Sequence, residues 1–104
     1  MARSKYMVKY TETFIKQFNS ILKYFIYKLQ NKIAAENFYN DVIKEIEKRS
    51  ECPESFEKYN SKYKRKNTYY RIYVKNYIIF YTVRDDTMEI RRILCDRRNF
   101  DKLV

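Results

Sequence analysis

The sequence predicts an α+β domain of order β-α-α-β-β-β: an N-terminal strand, then a helical hairpin packed on a small antiparallel sheet. Three observations predict it. Residues Tyr69 to Phe100 read as three short aromatic and β-branched runs, separated by two tight polar breaks. Residues 12–49 carry two apolar stripes at helical spacing. Only Gln30 and Asn31 separate those stripes, so the helices form an antiparallel hairpin, an ordinary partner for one face of a sheet. A chain of 104 residues fits one domain, 1–104.

Each element has its own signal. Ser4 to Tyr10 alternates around Tyr6, Val8 and Tyr10, which fits a short strand. Thr11 is suited to cap the helix that follows. Phe14, Phe18, Ile21, Leu22, Phe25 and Leu29 form the apolar stripe of a first helix, from about Glu12 to Lys28. The second helix runs from about Lys32 to Arg49. Its stripe is Ala35, Phe38, Val42 and Ile46, and charged residues such as Glu36, Asp41 and Lys48 fill a solvated face. Pro53, the only proline, closes it. Glu51 to Thr68 is polar and reads as a surface loop with at most a short helical turn. The strands are Tyr69–Val74, Tyr77–Arg84 and Met88–Cys95, joined at Lys75-Asn76 and Asp85-Asp86-Thr87. The last strand breaks alternation at Arg92-Ile93-Leu94, where a bulge fits.

Composition excludes several chemistries. There is no histidine, so Ser-His and Cys-His catalysis and histidine-ligated metals are out. There is no glycine, so no glycine loop cradles phosphate. Two cysteines, Cys52 and Cys95, are too few for a disulfide framework or a metal centre and read as reduced thiols. No metal or cofactor is expected. No stretch approaches the roughly 18 apolar residues that span a bilayer, and MARSKYMVKY has no apolar signal core. These features predict a cytoplasmic protein with no membrane partner.

The net charge is +10, which favours anionic partners. From Lys62 to Val104 there are twelve basic side chains against five acidic ones. The positive field therefore belongs to the sheet and to the loop before it, where Lys62, Lys64, Arg65 and Lys66 cluster as a candidate nucleic-acid contact. Basic residues interleaved with tyrosines suit single-stranded nucleic acid. A solubilising surface over core tyrosines would give the same pattern.

The layout, with Ala34-Ala35 and Phe38 on the second helix, Pro53, YRIYVKNYIIFYTV and the closing RRILCDRRNF, resembles the RelE/ParE superfamily of toxins from type II toxin–antitoxin systems. The resemblance covers nearly the whole chain. It implies a toxin neutralised by an acidic antitoxin that wraps its surface. It also implies one of two actions. RelE-like members cut messenger RNA in the ribosome, while ParE-like members poison DNA gyrase and are not nucleases.

The nuclease branch needs no metal: a 2′-hydroxyl attacks the neighbouring phosphate while cationic side chains stabilise the phosphorane. Set against that branch, Arg71 keeps its charge, but Tyr73 stands where a second cation belongs. Ile78 replaces the arginine that normally follows the tyrosine opening the next strand. Arg97 matches the last arginine, and the usual C-terminal tyrosine has no counterpart beyond Phe100. As an enzyme the chain would be a metal-independent endoribonuclease using Arg71, Tyr73 and Arg97. The losses favour the gyrase-directed branch. A basic nucleic-acid-binding module without toxicity, or an inactive relic, would also fit these residues.

Strand alternation sends Tyr77, Ile79, Tyr81 and Val83 to the helices, and Ile78, Phe80 and Thr82 to the other face. That face is expected to be an exposed apolar strip that binds a partner. Arg71, Tyr73, Ile78, Phe80, Arg97 and Arg98 are the candidate antitoxin- or target-binding residues.

Overall fold

A computed structural model describes residues 6–55, 58–59 and 69–96. Strand β1 (Met7–Tyr10) leads into helix α1 (Glu12–Lys23), which continues as one π-helical stretch, Tyr24–Lys28. Helix α2 (Lys32–Arg49) and a 3-10 turn (Pro53–Ser55) follow, then β2 (Lys58–Tyr59), β3 (Tyr69–Val74), β4 (Tyr77–Arg84) and β5 (Thr87–Cys95). The α+β class and the β-α-α-β-β-β order are as the sequence predicts, with the short β2 added.

The sheet is mixed rather than wholly antiparallel. Its five strands lie in the order β1-β5-β4-β3-β2. The meander pairs antiparallel, but β1 lies parallel to β5, from Met7 opposite Thr87 to Tyr10 opposite Ile90. Parallel neighbours need a long crossover, and the helices and meander supply it. Two further bonds fix β1: Met7 N–H to Asp86 O at 2.8 Å and Tyr6 N–H to Ser50 O at 3.0 Å.

Both helix starts are capped as their sequences suggest. Thr11 Oγ1 accepts from Phe14 N–H at 3.1 Å, and Asn31 Oδ1 from Ala34 N–H at 3.0 Å. The first helix does not stay regular to Lys28. Its last turn widens, with Leu29 N–H reaching Tyr24 O at 3.1 Å. Gln30 then turns left-handed at φ 49, and Asn31 N–H bonds back to Phe25 O at 2.9 Å. That closure spans seven residues, a Schellman-type stop lengthened by one residue by the π turn. The widened turn carries Leu29 off the stripe: it is 49% exposed, contrary to the core position its spacing predicts.

The core lies between the hairpin and one sheet face. Phe14 and Phe18 of α1 and Phe38, Val42 and Ile46 of α2 pack on Tyr70, Ile72, Ile79, Tyr81, Met88, Ile90 and Ile93. Phe38 is fully buried, with rings of Phe18, Phe25 and Tyr77 within 6.0 Å. Burying one such side chain stabilises the fold by roughly 1.5–3 kcal/mol. Tyr81 stacks on Tyr70 at 5.2 Å and donates to Pro53 O at 2.8 Å, joining the sheet to the end of α2.

The bulge falls one residue before the predicted break. Phe80 faces Arg92 while Tyr81 faces Ile90, so Arg91 is the extra residue on β5. Ile90 and Ile93 differ by an odd step, and without a bulge only one of them could face the helices. Both do, being 0% and 1% exposed. The backbone groups beyond the end of β1 are taken up by α1. The Thr11 hydroxyl donates to Arg91 O, and Gln17 Oε1 accepts from Ile93 N–H, each at 3.0 Å.

Candidate arginine-rich face

The face away from the helices is laid out by register. One row reads Arg71 on β3, Phe80 on β4 and Arg92 on β5. The next row, towards the β3–β4 turn, reads Tyr73, Ile78 and Leu94. Within β3 and β4, positions two apart share this face; on β5 the bulge at Arg91 is what turns Arg92 and Leu94 onto it.

The apolar strip is not exposed. Ile78 is 3% and Phe80 0% accessible, and they close into a second buried cluster with Tyr69 and Leu94. Alternation identifies the face a side chain takes; it does not say whether that face is covered. The accessible residue of the row is Tyr73, 54% exposed, with the Arg71 guanidinium 5.6 Å from its ring centre. That spacing is within cation–π range. Arg71 is also tied into the scaffold through its backbone, since its carbonyl accepts from Arg49 Nη1 at 3.0 Å.

Two arginines of this face escaped sequence reasoning. Arg92 completes the row around Phe80, and the bulge brings Arg91 to Tyr69. Arg91 Nε donates to the Tyr69 hydroxyl at 3.0 Å, and Arg91 Nη1 meets Glu89 Oε1 at 2.6 Å. Burial alone would lower the Arg91 pKa, but the Tyr69 and Glu89 contacts outweigh it and raise it above the ordinary guanidinium value. The available signal was a pair of consecutive arginines in an otherwise alternating strand.

Among the residues singled out from sequence, Arg71 and Tyr73 lie side by side, and Ile78 and Phe80 sit beneath their rows. Arg97, Arg98, Phe100 and the Lys62, Lys64, Arg65 and Lys66 cluster lie outside the described residues. Arg71 and Arg92 are suited to hold an anion across the Phe80 row. A proton-transfer site is less complete, because Glu89 is committed to Arg91. No group of three or more His, Cys, Asp or Glu among the described residues could hold a metal ion. A separate groove of about 730 Å³ lies where the widened turn of α1, with Tyr24 and Phe25, meets Tyr77, Leu94 and Cys95. No helix among the described residues is long and apolar enough to cross a membrane.

A helical hairpin on one face of a sheet whose other face carries arginines defines a RelE/ParE-type toxin domain. Residues 8–100 match the family model of the ParE toxin of the type II toxin–antitoxin system parDE, and the chain belongs to that family. Among solved structures, the chain is similar to the chromosomal ParDE system from P. aeruginosa, with a TM-score of 0.70 at 11% identity, over 88% of this chain and 96% of that one. It is also similar to the archaeal RelE–RelB complex from Pyrococcus horikoshii OT3, with a TM-score of 0.61 at 18% identity, over 92% and 100%. A third similar structure is the protein HP0894 from Helicobacter pylori, with a TM-score of 0.55 at 21% identity, over 86% and 93%. At these identities the solved structures establish the fold alone. A comparison with curated protein sequences found no match.

Proposed function

We propose that this toxin acts in the ParE manner, on DNA gyrase, and that an acidic antitoxin neutralises it. One observation carries the choice against messenger cleavage. The centre of the arginine-rich face is Ile78 and Phe80, apolar and buried, where the ribonuclease branch needs a cation at the reacting phosphate. Losing one oxyanion stabiliser costs about 10²–10³ in rate, and Tyr73 and Ile78 stand where two such cations would be. The ParE family match supports the same branch.

The antitoxin contact uses what is accessible: the Tyr73 ring and Arg71, with Arg97 and Arg98 meeting its acids. Ile78 and Phe80 support that surface from below and are not themselves the docking strip. A double Arg71→Ala, Tyr73→Ala change weakens the toxin–antitoxin complex; unchanged affinity in titration calorimetry removes the surface assignment. The mechanism is tested by inducing the protein in cells and measuring gyrase-linked DNA breaks beside messenger cleavage on ribosomes. Breaks without cleavage are expected. Cleavage abolished by Arg97→Ala would instead establish the second reading, a rearranged RelE-like centre of Arg71, Tyr73 and Arg97. The contact between Arg71 and Tyr73 is the observation that favours that reading.

A further inference from the structure

At the other end of the same face, towards the β4–β5 turn, lies a polar cavity of about 480 Å³ between β1, β4 and β5. Register sets Lys9, Glu89 and Thr82 side by side across three strands, with Arg84 and Thr87 paired one step further along. All five line the cavity, together with Arg91. Thr82 is the unusual member. It is 6% exposed, and its hydroxyl has no hydrogen-bond partner among the described residues. Buried hydroxyls are nearly always satisfied, so an unpaired one at the wall of a polar cavity points to a ligand.

The charges say which kind. Glu89 is neutralised by Arg91 at 2.6 Å. Lys9 and Arg84 are exposed and have no ion pair among the described residues. Among the described lining residues, Asp85 in the turn is the one acid without an ion pair, so two cations without an ion pair face one such acid within a strongly positive chain. Two separated cations and two hydroxyls, with Glu89 among them held by Arg91, suit a many-oxygened anion such as phosphate. The volume is within the range of small-ligand pockets.

We propose that this cavity binds a phosphate group, carried by a nucleotide or by a nucleic-acid strand, with Lys9 and Arg84 meeting its charge and the Thr82 and Thr87 hydroxyls donating to its oxygens. The site is separate from the Arg71–Tyr73 surface and does not depend on the gyrase reading. Its test uses the full chain at low salt, titrated by calorimetry and amide NMR with inorganic phosphate, ATP and a short single-stranded RNA. Saturable binding is expected, with shifts at the Thr82 and Thr87 amides. Thr82→Val weakens it about tenfold, the effect of one hydrogen bond to a charged group. Thr82→Ser retains it, Arg84→Gln on the exposed rim weakens it without touching the core, and Lys75→Gln at the far turn leaves it unchanged. Tighter binding of ATP identifies a free nucleotide, and tighter binding of RNA identifies a strand; either supports the site. No saturable binding by any probe overturns it, as does binding of equal strength in wild type, Thr82→Val and Arg84→Gln.

Discussion

The two faces of the sheet bury similar side chains by different means. The helix-facing side rests on thirteen buried residues gathered from α1, α2 and three strands. The opposite side closes over four, Tyr69, Ile78, Phe80 and Leu94, and arginines stand in its rows. One face is a core that happens to be part of a sheet. The other is an arginine-bearing surface resting on a small apolar footing. Phe38 and Phe80 are both fully buried, yet they belong to these two settings, and that makes the contrast measurable.

The sharpest test truncates those two rings. Phe38→Ala should cost about 4–5 kcal/mol in denaturant unfolding, the upper part of the range for such changes. Phe80→Ala should cost about 3 kcal/mol, because a four-residue cluster offers fewer neighbours to lose. Equal losses would mean that the two faces are one core. Next come the bonds that hold the bulge, which sets Arg92 beside Arg91 on the second face. Thr11→Ala removes both a helix cap and the partner of Arg91 O, and Gln17→Ala strands the Ile93 N–H. Each should cost about 1–2 kcal/mol. Both should also disturb the Arg91 and Tyr69 resonances more than those of Phe38.

A smaller and opposite effect is expected at the β3–β4 turn. Lys75 takes φ 54 in a chain with no glycine. Its ammonium reaches Asp41 at 3.8 Å, but both side chains are about half exposed and the pair contributes little. Lys75→Gly should raise stability by about 0.5–1 kcal/mol by relieving the left-handed backbone. A loss would mean that the Asp41 contact outweighs the strain.

The smallest effect appears only in alkali. On the helix-facing side, burial raises the pKa of both Tyr70 and Tyr81 above the ordinary phenol value. Nearby Glu54 and Tyr6 add to the rise at Tyr70, while Arg49 opposes it at Tyr81. The folded state then holds protons that the unfolded chain releases, so their contribution is complete below pH 10 and falls as pH rises beyond it. Unfolding free energies measured from pH 8 to 11 should decline above pH 10, and Tyr81→Phe should flatten that decline.

Much of this was legible in the sequence because period and punctuation agreed. Strands β3 and β4 and helix α2 have the predicted ends, each set by a turn pair, a cap or Pro53. The parallel pairing of β1 was not legible, since a lone alternating strand carries no mark of which edge it joins. The widened turn at Tyr24–Lys28 was equally hidden, because its residues continue a helical spacing that the backbone departs from by one. For the candidate site, alternation placed Ile78 and Phe80 on one face, and the family resemblance singled out Arg71 and Tyr73. Their exposure depends on what lies over them, which period cannot express. Arg91 and Arg92 were visible only as a rhythm broken by two like residues, and only register gave them neighbours.

Helix α1 does one thing more than fill the core. Past Ile90 no strand among the described residues lies beside the outer side of β5, and such margins invite foreign chains to pair. Thr11 and Gln17 engage the carbonyl of Arg91 and the amide of Ile93, two groups an incoming strand would have to capture. A strand adding at this margin would first have to displace those two side chains, so the contacts that settle the bulge also leave the margin fewer free groups to pair.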